Sequence, residues 1–122
     1  MTQKNVLIVD DSHKTADFFA ELLRAEGYHV DVAYDGQEAL EYFDLNRPDI
    51  TFMDLIMPIM DGEKALVEIK KKSPESKIIM MASPLSSDEV LFNIQLLSLK
   101  EKGANGFIQK PYTLEQLISK IN

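Results

Sequence analysis

Five short apolar or β-branched runs alternate along this chain with five longer stretches of helical period, and that alternation leaves few folds open. Parallel strands need long crossovers, usually helices, so such a pattern marks βαβ units around a parallel sheet. The first run is Val6 to Val9, ending in Asp10-Asp11. A helix opened by Asp11 or Ser12 follows, with Ala16, Phe19, Ala20 and Leu23 on one stripe and Gly27 closing it. The second strand is about His29 to Ala33, and Asp35 with Glu38 caps a second helix presenting Ala39, Leu40 and Phe43.

The third strand is Ile50 to Asp54. Asp61-Gly62 starts a third helix with Gly62, Ala65, Leu66 and Ile69 on one face, and Ser73-Pro74 stops it. The fourth strand is Lys77 to Ala82. Ser86-Ser87-Asp88-Glu89 caps a fourth helix running to about Lys102. The fifth strand is Asn105 to Gln109. Thr113 and Gln116 form a capping box for a last helix with Leu114, Leu117, Ile118 and Ile121 inward. Strands one, three and four are nearly unbroken apolar runs, as expected of a sheet covered on both faces. Right-handed crossovers place helices on both sides, giving a doubly wound α/β domain.

At 122 residues the chain makes one domain, 1–122. It has no cysteine, which excludes disulfides, thiolate nucleophiles and Cys-ligated metal sites. Lys and Arg number 13 against 20 Asp and Glu, a formal charge of −7, the wrong balance for direct nucleic-acid binding. The apolar run after Met1-Thr2-Gln3-Lys4-Asn5 is too short for a signal-peptide core or a membrane span, so a cytoplasmic location with no membrane contact is expected.

In doubly wound sheets ligands bind beyond the carboxyl ends of the strands. Those ends carry Asp10-Asp11, Asp54, Ala82-Ser83 and Lys110-Pro111. With strands one and three adjacent at the sheet centre, three carboxylates converge and need a counterion. An all-oxygen ligand set suits a hard dication, Mg²⁺ before Ca²⁺ or Zn²⁺. Lys110 adds a second positive charge, and the combination suits a phosphoryl group. An Asp can itself attack phosphorus to form an aspartyl phosphate. Taken singly, Asp11, Asp35 and Asp61 read better as helix caps or turn residues.

These residues are arranged as in the response-regulator receiver domain, the CheY-like family of two-component signalling, which the whole chain resembles. Asp54-Leu55-Ile56-Met57-Pro58-Ile59-Met60-Asp61-Gly62 follows the family pattern D-L-x-M-P-x-M-D-G without a gap, and Val6-Leu7-Ile8-Val9-Asp10-Asp11-Ser12 and Lys110-Pro111 match in order and place. The resemblance implies a flavodoxin-like (βα)5 fold with strand order 2-1-3-4-5. It implies Asp54 as phosphoacceptor, and Mg²⁺ held by Asp11, by Asp10 largely through water, by Asp54 and by the backbone carbonyl of Ile56. Lys110 would pair with the phosphoryl group, and a cis peptide before Pro111 would aim it. Phe107 stands where the family has its rotating aromatic switch, with plain core packing as the competing reading.

One position departs from the family. Ala82 occupies the slot of the usual Thr or Ser, and the hydroxyl arrives one residue late, on Ser83. Either the strand ends early and Ser83 swings toward the phosphoryl group, or the hydroxyl is absent and transmission is weakened. Pro84 holds Ser83 extended.

The implied partners are a sensor histidine kinase or a histidine phosphotransfer protein as donor, and a downstream target or second copy on the face from the fourth to the fifth helix. The fourth helix is apolar on more than one side, through Val90, Leu91, Phe92, Ile94, Leu96, Leu97 and Leu99, which reads as a partner surface or as a wider internal stripe. Such a chain modifies only itself and is no enzyme toward other substrates. It acts alone or as the front of a longer regulator. Two rivals stand beside this reading. A haloacid-type phosphohydrolase wants D-x-D, where this chain has Ile56 two past Asp54. A pseudo-receiver would bind partners without phosphate. Lys70-Lys71-Lys72 reads as the solvated end of the third helix, and His13 and His29 as lone histidines, His13 with a surface role.

Overall fold

The computed structural model describes residues 3–83 and 88–122. The alternation becomes β1 (Asn5–Val9), α1 (His13–Ala25), β2 (His29–Ala33), α2 (Gly36–Asn46), β3 (Ile50–Asp54), α3 (Gly62–Lys72), β4 (Lys77–Ala82), α4 (Glu89–Glu101), β5 (Gly106–Gln109) and α5 (Leu114–Ile121). The five strands form one parallel sheet in the order β2-β1-β3-β4-β5. The chain therefore has the flavodoxin-like topology that the resemblance implies.

Successive strand residues point to opposite faces, and the core divides accordingly. Leu7, Val9, Met53, Ile78, Met80 and Ala82 pack under α2 and α3, with Leu99 of α4 on the same side. Val6, Ile8, Phe52, Ile79, Met81 and Ile108 pack under α1 and α5. β1, β3 and β4 are buried almost end to end, as strands covered on both faces must be.

Helix starts follow local chemistry. Asp35 accepts from Glu38 N–H and caps α2, while the Glu38 carboxylate reaches back to Tyr34 N–H. Asp61 accepts from Lys64 N–H and caps α3. Thr113 and Gln116 form the reciprocal box at α5. At α1 the N-cap is Ser12, whose hydroxyl bonds Thr15 Oγ1 and not the helix backbone. At α4 Asp88 caps by accepting from Val90 and Leu91 N–H, while the Ser86 and Ser87 expected to share that role lie outside the described residues.

Two local readings need correction. β5 starts at Gly106, and Asn105 just before it binds Ile78 in both directions: its N–H donates to the Ile78 carbonyl, while its Oδ1 accepts from Ile78 N–H and from Lys70 Nζ. Lys70 is correspondingly no free end of α3. It is half-buried and also donates to the Ser76 carbonyl, and desolvation lowers its pKa. At α4 the structure decides between two readings: Val90, Leu91, Ile94 and Leu97 are each more than half exposed and Leu99 is its buried residue, so the apolar surface is not a wider internal stripe.

Candidate functional site

β1 and β3 are neighbours in register Val6↔Ile50 through Val9↔Met53, so Asp10, just after Val9, and Asp54, the last residue of β3, stand side by side at the sheet's carboxyl edge. Asp10, Asp11 and Asp54 thus come together, with one carboxylate oxygen of each within 4.8 Å of the others. Their environments differ. Asp10 and Asp54 are buried, whereas Asp11 is exposed. Asp10 extends the ladder by donating its N–H to the Ala33 carbonyl, which anchors its backbone at the strand end.

Lys110 reaches the same place from the end of β5, where its N–H donates to the Ala82 carbonyl at 2.9 Å and the Lys110–Pro111 peptide is cis. Its Nζ lies 2.9 Å from Asp54 Oδ2 and 3.6 Å from Asp10 Oδ2. Burial pushes the Asp54 carboxyl up to about 6, with Lys110 pulling down and Asp10 and Asp11 adding a smaller upward push. At neutral pH the carboxylate is therefore ionised and more basic than an ordinary aspartate.

The mouth of the site is a cleft of about 140 Å³ lined by Asp11, Asp54, Leu55, Ile56, Ser83 and Lys110. A larger cavity of about 480 Å³ adjoins it, between the start of α1 and the Lys110–Pro111 turn, and includes Asp10, Phe19, Ser83 and Tyr112. Ser83 borders both. Ala82 is buried among the core residues under α3, so the hydroxyl on this strand end lies at the cleft only through Ser83. Phe107, opposite Met80 in the sheet, is half-buried and packs against the core under α2 and α3. His13 lies outside the acidic group and stacks on Tyr34 at 3.7 Å between ring centroids.

Two further residues matter to this geometry, Gly62, the last residue of the D-L-x-M-P-x-M-D-G motif, and Tyr112, which no motif carries. Gly62 begins α3 directly over the Asp54 backbone. A Cβ there would collide with the Asp54 carbonyl oxygen and lie 2.9 Å from its carbonyl carbon, so only glycine lets the helix close on the strand end. Tyr112 is buried, and its hydroxyl donates to Asp10 Oδ2 at 3.1 Å. Burial first, and then the Asp10 charge, raise its pKa far above the ordinary phenol range, so it remains a donor. The partners are 102 residues apart in sequence, which is why no motif announces them.

Three oxygen-donor side chains, two of them buried, need neutralisation beyond what one ammonium supplies. An all-carboxylate cluster with an exposed member facing a cleft fits a hard dication such as Mg²⁺. Asp10, Asp11 and Asp54 are the side chains that would hold it, and its chemistry there would be charge neutralisation of a phosphoryl group.

The fold and site define a doubly wound α/β domain with acidic groups and a lysine at its switch point, where such sheets bind ligands. Known proteins narrow it further. The family profile for the response regulator receiver domain matches residues 6–122. The receiver domain of the Francisella response regulator 1452 is 27% identical, covering 98% of this chain and 94% of that one with a TM-score of 0.85. A CheY-like receiver protein from Methanospirillum hungatei is 29% identical, covering 98% and 91% at a TM-score of 0.82. The receiver domain of NtrX from Brucella abortus is 32% identical, covering 93% and 92% at a TM-score of 0.79. The chain belongs to the response-regulator receiver family of two-component signalling.

Proposed function

We propose that this receiver takes a phosphoryl group onto Asp54 from the phosphohistidine of a sensor histidine kinase or histidine phosphotransfer protein, in a Mg²⁺-dependent reaction. The observation that carries the reading is the buried Asp54 carboxylate, paired at 2.9 Å with Lys110 and clustered with Asp10 and Asp11. An Asp54 carboxylate oxygen attacks phosphorus, the P–N bond breaks with its electron pair staying on nitrogen, and the leaving imidazole takes up a proton from solvent. Lys110 neutralises charge on the transferred group. Mg²⁺ would be held by Asp10, Asp11, Asp54 and the backbone carbonyl of Ile56, and would neutralise the equatorial oxygens. Ser83 is the hydroxyl available to the phosphoryl group in place of the missing one at Ala82.

Added charge at Asp54 then shifts a two-state equilibrium that Phe107 relays to the far face. The exposed apolar face of α4 supports a protein partner there, a downstream target or a second copy of the chain. The domain modifies itself and is no enzyme toward other substrates. The reading places it in the cytoplasm, where kinases present phosphohistidine. Among the described residues no helix is long and apolar enough to cross a membrane.

The test is intact mass after incubation with a small acyl phosphate. A single phosphate adduct is expected with Mg²⁺ and is lost with chelator or in Asp54→Asn. An unmodified wild-type chain would overturn the reading in favour of a phosphate-independent binding module. Light scattering with and without the acyl phosphate separates a second copy from a downstream target.

A further inference from the structure

Asp10 is fully buried, and a buried carboxylate is stable only when its oxygens are served by donors. Ser12 N–H serves Oδ1 at 2.9 Å, and the Tyr112 hydroxyl serves Oδ2 at 3.1 Å. The Lys110 ammonium stands between two competing carboxylates. At 2.9 Å from Asp54 Oδ2 it makes a charge-assisted hydrogen bond, and at 3.6 Å from Asp10 Oδ2 it does not. The oxygen that loses this competition is the one that Tyr112 serves. The phenol is held in place by its neighbours, since its ring packs against Phe19 at 4.7 Å between centroids and Pro111 precedes it.

We propose that Tyr112 is a positioning residue whose hydroxyl, by satisfying Asp10 Oδ2, keeps the Lys110 ammonium on Asp54 and leaves Asp10 free to face the cation. A phenylalanine would fill the same space and keep the contact with Phe19. It would leave Oδ2 one donor short, and the nearest replacement is the ammonium already held at 3.6 Å. Lys110 would then be drawn toward Asp10, weakening the Asp54 pair and placing a fixed cation where the dication must come.

The role of Tyr112 in the metal-free site stands on geometry alone, and its second consequence rests on the proposed Mg²⁺ site. Crystal structures of the metal-free wild type and Tyr112→Phe test the first. The variant is expected to show Lys110 Nζ moved to about 2.8 Å from Asp10 Oδ2, with the Asp54 contact lengthened. Unchanged Lys110 contacts in Tyr112→Phe overturn the proposal. Calorimetric titration with Mg²⁺ tests the second: Tyr112→Phe weakens binding about tenfold. In an Asp10→Asn background the same change has little further effect, because Tyr112 acts through Asp10. Equal weakening in both backgrounds would show a general packing role and overturn it. A wild type that binds no Mg²⁺ defeats the metal reading alone and leaves the first arm to decide on Tyr112.

Discussion

α3 and α4 are helices of similar length on the same face of the sheet, and they are held in opposite ways. α3 buries Gly62, Ala65, Leu66 and Ile69, the one stripe its sequence offers, and its first residue closes on the Asp54 carbonyl. α4 has more apolar residues but buries Leu99, half-buries Phe92 and Leu96, and leaves four large side chains in solvent. Besides the packing of Leu99 and Phe92 in the core that α4 shares with α3, a surface ion pair joins Lys102, which follows α4, to Glu63 of α3, and adds little. The difference is one of anchoring. α3 is built into the floor of the site and cannot shift without moving Asp54. α4 is tied down by few buried contacts.

The sharpest way to break this contrast is Gly62→Ala. The added methyl has only backbone to displace, so a loss of more than about 3 kcal/mol in denaturant unfolding is expected, or failure to fold. A mild effect would mean that α3 is as loosely seated as α4. Leu66→Ala comes next, with a loss of about 3 kcal/mol from transfer and cavity terms.

Asp54→Asn sharpens the comparison by changing charge at the α3 floor without altering its shape. Burial raises the folded pKa of Asp54 from 3.8 to about 6. The folded chain therefore binds more protons than the unfolded one between those values, and its stability falls as pH rises through them. The metal-free variant is expected to exceed wild type by up to about 3 kcal/mol at pH 7, the gap closing below about pH 4. A pH-independent difference would refute the assignment. The smallest expected effect is at α4, where Leu97→Ala should change stability by less than about 0.5 kcal/mol. A loss matching that of Leu66→Ala would show that α4 is covered after all.

Much of this was legible beforehand because it depends on local or periodic signals. β1, β3 and β4 announce themselves as unbroken apolar runs, since both faces are covered. The four inward positions of α3 follow from a clean helical period between the Asp61 cap and the Ser73-Pro74 stop. Asp10, Asp11, Asp54 and Lys110 were findable because the sheet topology sends every strand's carboxyl end to one edge. α4 was not legible in the same way. Period says which residues are apolar, and burial depends on how much of the neighbouring surface is left to cover them. Asn105 does pair its backbone N–H with Ile78 of β4, but its side chain takes the return bond from Ile78 N–H and the bond from Lys70, which apolar patterning does not show.

By itself the sequence determined the order of elements, the doubly wound sheet and the set of acidic and basic groups at its edge, because these follow from periodicity and chain connectivity. Only the tertiary structure decided which of two adjacent aspartates is buried, that Tyr112 serves Asp10, that Gly62 has no space for a side chain, and that α4 leaves its apolar face in solvent. Three of those outcomes depend on how distant segments and helices seat on the sheet, which no local pattern encodes; for Gly62 the motif marks the residue, and the closure of α3 on the Asp54 carbonyl supplies the reason.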